Sequence, residues 1–431
     1  MKKKNKSNKK SPLFIYTFGF LFLLYYITGS HLTSYIRSAY KSIKNIDLFA
    51  NNNITTDICY NLDSEIRDII HSESNNWSIS YINETGVEQI SINSQIPRIP
   101  ASNQKIITTA YTLEKLGSKS YLRTRLRKDI FGNYHLDGQG DPDFGFFHLK
   151  KILNTIERNQ LISPFIGKRR TARLYIYEEP STMWWPTGWH QADKKESYGA
   201  PITRLGLNAN SSTSSISYPI STTISAINKL NSKSKTNINV ILKGQSDLRS
   251  SLLDKNILEL NSANILSLVS LANSESHNFT AEILLRNSFN NWDMQSNMHL
   301  VNNWLVNNKV PTDGFRITDG SGLSRTNKLT SKGLSYLLYR IKHKEYRDSF
   351  ISTLSILGVR GTLTNFPSPV YLKANFYGKS GTLTGIRSLS GYLKTSKGLR
   401  IISILSENSE EPDRIISSIL STLSLSYSCD N

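Results

Sequence analysis

The sequence predicts an α+β fold in which one antiparallel sheet is flanked by helices and interrupted by an inserted domain. Three observations predict it. Two short alternating strands stand near the start, a run of three alternating strands stands near the end, and apolar residues at helical spacing flank both. Between them lies a middle segment of different character. With 431 residues, 38% of them hydrophobic, the chain is long enough for one large core and a second domain.

The first element is a leader. Lys2, Lys3, Lys4, Lys6, Lys9 and Lys10 precede an apolar run from Pro12 to Ile27, the pattern of an export segment. The run falls short of the ~20 residues of a spanning helix. Residues 1–30 are therefore expected to export the chain to the periplasm or cell envelope, either cleaved or kept as an anchor in the cytoplasmic membrane. Residues 31–57, polar and Asn-rich towards their end, are expected to be a linker. The formal charge of +19 favours polyanionic surroundings. No helix-turn-helix, zinc-finger spacing or aromatic RNA-binding signature accompanies it, so a nucleic-acid partner is not expected.

The main domain begins at 58. Leu62, Ile66, Ile69 and Ile70 fit a helix, followed by strands Trp77–Ile82 and Val87–Ile92 around the turn Asn83-Glu84-Thr85-Gly86. Ile106, Ile107, Ala110, Leu113 and Leu116 then mark a helix closed by Gly117. The main domain is expected over 58–128 and 235–431, with the insert at 129–234. The insert holds the turn Gly138–Asp143, three tryptophans (Trp184, Trp185, Trp189) and a Ser/Thr-rich stretch. Asp141 and Asp143 there fit a turn or a cation site. Helices are expected around Ile257–Ala272 and Thr280–Asn287. Strands Phe376–Thr384, Arg387–Lys394 and Leu399–Leu405 then form a meander, and Ile415, Ile416, Ile419, Leu420 and Leu423 a last helix. Cys59 and Cys429 are free to pair, or to stay as separate thiols.

Three short motifs carry chemistry. Ser102-Asn103-Gln104-Lys105 is an S-x-x-K at the mouth of a helix, where positions i and i+3 share a face. A serine is a poor nucleophile until a base takes its proton. A lysine serves only when burial or nearby positive charge lowers its pKa. Ser276-His277-Asn278 is an S-x-N whose serine can relay a proton and whose amide can grip a substrate carbonyl. Lys379-Ser380-Gly381-Thr382 lies in a strand. There Lys379 supplies positive potential for a substrate carboxylate and Ser380 a hydrogen bond. Gly381 allows close approach, and the Thr382 N–H can join that of Ser102 in an oxyanion hole. Each motif alone is common by chance; their order and placement together are specific.

The pattern resembles the penicillin-recognising serine enzymes, and more narrowly the low-molecular-mass class C penicillin-binding proteins, the D-Ala-D-Ala carboxypeptidase/endopeptidase family. Further stretches share the likeness: Gly140-Asp141-Pro142, Tyr198-Gly199-Ala200-Pro201, Ala281-Glu282, Asp319–Arg325 and Gly361-Thr362-Leu363. The resemblance spans roughly 58 to 410. It implies a transpeptidase-like catalytic domain, the fold shared with β-lactamases. It also implies acyl transfer on peptidoglycan stem peptides, with acylation by β-lactams and no metal or organic cofactor. Two positions depart from the family: His277 where Asp is frequent, and Ser380 where Thr is usual.

Competing motifs are weaker. Ser324-Arg325-Thr326-Asn327 places its Asn one position too far to be the S-x-N. Gly378-Lys379-Ser380 lacks the first glycine of a phosphate-binding loop, where Lys373 stands. Glu259-Leu260-Asn261 resembles a β-lactamase deacylating loop but precedes Ser276. The rival functions are a serine β-lactamase or esterase on the same fold, and an inactive wall-binding homologue.

Overall fold

A computed structural model describes residues 54–161, 170–232, 234–248, 253–289 and 291–426. The expected export segment, most of the linker and Cys429 lie outside these residues, and with Cys429 the choice between its pairing to Cys59 and separate thiols. Among the described residues, no helix is long and apolar enough to cross a membrane.

The first sheet is antiparallel. Its long strands run Val87–Ile92, Trp77–Ile82, Gly398–Glu407, Ile386–Thr395, Phe376–Leu383, with the two-residue strand Ser355–Ile356 at the far edge. Alternation gives it two different faces. Ile79, Ile90, Leu389, Leu393, Ile402 and Ile404 pack under helices Tyr60–Ile69 and Pro412–Leu425, through Leu62, Ile66, Ile416, Ile419 and Leu423. Between these apolar positions stand Ser78, Ser80, Ser388, Ser390 and Ser403, all essentially buried. Small hydroxyl side chains let helices approach this second face closely. Ser80 bonds Ser335 on helix Ser331–Lys342 at 2.7 Å, and Ser390 accepts from Asn103 at 2.9 Å. The face that looks like the polar side of an exposed sheet is therefore the floor under the turn that carries Ser102.

The second sheet runs Thr236–Gly244, Arg170–Glu178, Tyr134–Asp137, Tyr121–Asp129, Leu253–Asn264. Its first two pairings are parallel, so crossovers are needed. Helices Phe146–Leu161 and Pro219–Asn231 supply them and bury Leu126, Leu136, Leu174, Ile176 and Ile238. This sheet reaches from Tyr121 to Asn264, beyond the 129–234 expected from composition at both ends. Its flanking strands pair with each other across some 130 residues of chain, a partnership no local pattern reveals.

One expected helix is corrected. Residues 257–264, expected to begin a helix over Ile257–Ala272, belong to the strand Leu253–Asn264. Leu260 is buried while Glu259 and Asn261 are exposed, which is a strand's alternation. The helix begins at Ile265, and Asn264 caps it by accepting the Ser267 N–H at 2.9 Å.

Candidate active site

The sheet, the helix that follows Ser102 and three loops converge on that serine. Residues Ala101–Asn103 form a 3-10 turn that runs into helix Gln104–Leu116. Ala101 sits at φ 46°, a left-handed conformation that costs an alanine about 1 kcal/mol or more. The close packing around it holds that strain. A Cβ on Gly322 (φ 82°) would overlap Ala101 O, and one on Gly381 would reach within 2.8 Å of Ser102 N. Both glycines are thus required by close approach of backbone to the Ser102 turn, whereas Gly381 was expected to make room for the substrate strand.

Ser102 Oγ is half-buried between two partners. Lys105 Nζ lies 3.0 Å away and Ser276 Oγ, whose hydroxyl donates, 2.9 Å. Ser276 also holds a left-handed φ of 61°, and helix Asn278–Asn287 starts two residues on. Lys105 is fully buried and makes two further bonds, to Asn278 Oδ1 at 2.7 Å and to the Ser321 carbonyl at 2.7 Å. Burial lowers its pKa from 10.5 to about 7, while the carboxyls of Asp319 and Glu282 pull the other way. The shift makes a free amine available to Ser102 near neutral pH. Asn278 donates from Nδ2 to Tyr198 O at 3.0 Å, so the Tyr198–Pro201 stretch forms one wall.

In the sequence the loop Asp319–Ser324 carries only a family likeness; the fold gives it a task. Asp319 accepts from the backbone of Gly322 and Ser324, from Asn327, and from the indole of Trp189 at 2.9 Å. This turn points the Ser321 carbonyl at Lys105. Ser324, weighed as a rival relay, bonds Thr326 and the Thr187 carbonyl. Asp141 is buried and accepts the Asp143 N–H, stapling its own turn.

His277 departs from the family's aspartate in a measurable way. Its Nδ1 meets Thr280 Oγ1 at 2.7 Å, and burial, with Lys105 adding to it, pushes its pKa down to about 4. The ring is neutral where the family often has a carboxylate, so it gives the Lys105 ammonium no support.

The third motif lies along strand Phe376–Leu383. Lys379 is fully buried and its Nζ donates to the Ser380 carbonyl at 2.9 Å. Burial, then repulsion from Lys105, pushes its pKa well below the usual lysine value. Ser380 Oγ meets Thr362 Oγ1 at 2.7 Å, bringing in the Gly361–Leu363 stretch. Thr382 is exposed at the end of the motif, and Arg387, anchored by Asp413, donates to its hydroxyl. Sequence alone did not single out Arg387.

The family described as D-Ala-D-Ala carboxypeptidase 3 (S13) matches residues 59–241 and 239–423. The chain is 31% identical over 108 residues to the D-alanyl-D-alanine carboxypeptidase of Actinomadura sp. strain R39. It is 33% identical over 88 residues to the D-alanyl-D-alanine carboxypeptidase DacB of Haemophilus influenzae. These matches take in 24% and 20% of this chain, and span only 20% and 18% of the relatives' lengths. Among solved structures, penicillin binding protein 4 of Haemophilus influenzae superposes with a TM-score of 0.70 at 17% identity, over 83% of this chain and 98% of that one. A predatory peptidoglycan endopeptidase of Bdellovibrio bacteriovorus gives 0.54 at 15%, over 80% and 92%. At such identities the likeness establishes the fold, the penicillin-binding-protein fold that the motifs led us to expect.

Proposed function

The chain belongs to the D-Ala-D-Ala carboxypeptidase 3 (S13) family, and from that premise we propose that it is a serine D-alanyl-D-alanine carboxypeptidase or endopeptidase. It acts on peptidoglycan stem peptides and is acylated by penicillin. One observation carries this: Ser102 Oγ lies between the Lys105 amine and the Ser276 hydroxyl, with the Lys379–Thr382 strand against its backbone.

The neutral Lys105 amine takes the Ser102 proton as Oγ bonds to the carbonyl carbon of the penultimate D-Ala. The oxyanion is received by the N–H groups of Ser102 and Thr382. As the C–N bond breaks, the proton passes from Lys105 through the Ser276 hydroxyl to the departing amine. Water then cleaves the acyl-enzyme: Lys105 takes a proton from the attacking water and returns it to Ser102 Oγ as the acyl C–O bond breaks, which restores the free serine. In a penicillin adduct the leaving group stays tethered to the acyl chain and hinders the approach of water. A penicillin adduct should therefore persist and be seen by intact mass; a chain that hydrolyses penicillin with rapid turnover would instead be a β-lactamase.

The base has a pH signature. With Lys105 near 7, acylation should fall about tenfold for each pH unit below that value, because the protonated amine cannot accept. Penicillin-labelling rates at pH 5 and pH 8 should differ by about a hundredfold. A flat profile would remove Lys105 from the role of base.

Lys379 is to provide the field for the substrate carboxylate, whose negative charge favours the ammonium form that burial alone disfavours. Lys379→Gln should lower acylation efficiency by roughly ten- to a hundredfold, the worth of one charge-assisted hydrogen bond. Lys379→Arg should lose less through its retained charge. Measured on a substrate with a blocked carboxylate, the loss should shrink. Equal losses on both substrates would make Lys379 a strand-holding residue.

Export to the cell envelope through residues 1–30 belongs to the same proposal, since the substrate lies outside the cytoplasmic membrane. What supports it is the basic-then-apolar leader.

A further inference from the structure

We propose that Glu282 is a positioning residue for acyl transfer: it holds the Gly320–Ser321 backbone that orients Lys105 against Ser102, and its charge sets how readily Lys105 gives up a proton. The inference rests on Lys105 acting as the base.

Glu282 lies one turn beyond Asn278 on helix Asn278–Asn287, so both side chains project from the same face. Its Oε1 accepts two backbone N–H groups, from Gly320 at 2.9 Å and Ser321 at 2.8 Å. The carbonyls of the same two residues are also taken. Gly320 O accepts from Thr108 at 2.6 Å, and Ser321 O from Lys105 Nζ at 2.7 Å. One residue of backbone thus separates the buried carboxyl from the buried amine. Thr108 and Lys105 share the nucleophile helix, so the Gly320–Ser321 segment is clamped between that helix and the one carrying the S-x-N asparagine.

The other carboxyl oxygen is informative. Glu282 is fully buried, and its Oε2 has no hydrogen-bond partner among the described residues. An ionised oxygen left so would be costly; a proton on it relieves the cost. Burial, with Asp319 adding to it, pushes the Glu282 carboxyl well above the usual carboxylate range, while Arg286 on its own helix opposes. Lys105 faces Asp319 and Glu282 on one side, and Lys379 and the neutral His277 on the others. When Glu282 carries its proton, one of the two negative charges that favour the ammonium is gone and the amine is freer to accept from Ser102. When Glu282 is ionised, the ammonium is favoured.

Two variants of the whole chain separate charge from reach. Glu282→Gln keeps an oxygen for the two N–H groups but removes the ionised state. The acidic limb of penicillin labelling, followed by intact mass from pH 4.5 to 9, should move down by roughly a few tenths of a pH unit at its upper end, less than a full charge would give, because Glu282 already carries its proton over the lower part of the limb. The plateau rate should change little. Glu282→Asp keeps the charge but withdraws it by one methylene from Gly320 and Ser321. Its plateau acylation rate should fall about tenfold or more with penicillin affinity retained, because Lys105 loses its alignment and not the substrate its groove.

A limb unmoved in Glu282→Gln overturns the charge role, and a full plateau rate in Glu282→Asp overturns the positioning role. Should the Gln variant not fold, the Asp variant decides alone, since a general loosening of the site would weaken affinity and rate together. If the unsubstituted protein shows no acidic limb at all, the failure belongs to the assignment of Lys105 as base.

Discussion

Replacing Ser102 with alanine is expected to abolish covalent labelling by penicillin completely, with no adduct by intact mass at any pH or incubation time. The Oγ atom forms the acyl bond, and no rate remains once the bond cannot form. The fold should hardly notice. Ser102 is half-buried, and its removal deletes two contacts, to Lys105 and Ser276. Lys105 keeps Asn278 Oδ1 and the Ser321 carbonyl as acceptors. A net loss of about 1 kcal/mol is the scale of such hydrogen bonds, so thermal unfolding should shift by only a few degrees. A folded Ser102→Ala chain that still takes up penicillin would sink the assignment. Peptide mapping would then ask whether Ser276, the hydroxyl beside it, is the true nucleophile.

The residues that make this test possible were legible because their signals are local. Ser102 and Lys105 share a helix face by spacing alone, and strands Trp77–Ile82 and Val87–Ile92 alternate cleanly around a turn whose Gly86 takes φ 93°. The last helix announced itself through Ile416, Ile419, Leu420 and Leu423. What escaped depends on partners far away in the chain. Leu253–Asn264 is a strand because Tyr121–Asp129 lies beside it, whereas Ile257, Leu258 and Leu260 taken alone also suit the start of a helix. The serines of the central sheet look like a wetted face until the helices that press on them are in place. In the site, the third partner of Lys105 is a backbone carbonyl, that of Ser321, and a carbonyl has no signature in a sequence. Glu282 and Asp319 could be found only as stretches of family likeness. Their work, tying down N–H groups of one turn, appears once the turn is folded over the lysine.

Lys105→Met is expected to lower acylation by about a thousandfold, within the range general base catalysis supplies, and to leave the fold at least as stable at pH 7. Methionine fills a similar volume without a charge to desolvate. In the native protein Lys105 falls from 10.5 to about 7. At pH 7 the unfolded chain holds that proton fully and the folded chain only half, a penalty on folding of about 4 kcal/mol. Against it stand three acceptors that lose a donor in the variant, Ser102 Oγ, Asn278 Oδ1 and Ser321 O, at about 1 kcal/mol each. The penalty matches or exceeds their sum, so the lysine proposed as base is held at the expense of stability. The sign is checkable by pH. Between pH 7 and 10.5 the unfolded state binds more protons than the folded one, so the stability of the unsubstituted protein rises relative to Lys105→Met across that window. Below pH 7 both states are protonated and the difference stays constant. Denaturant unfolding at pH 7 and pH 9.5 should therefore show the variant's advantage shrinking and then reversing. A variant that is clearly less stable at pH 7, by a margin that pH does not change, would mean that Lys105 stays charged in the fold and is there as a structural cation, with the proton of Ser102 going elsewhere.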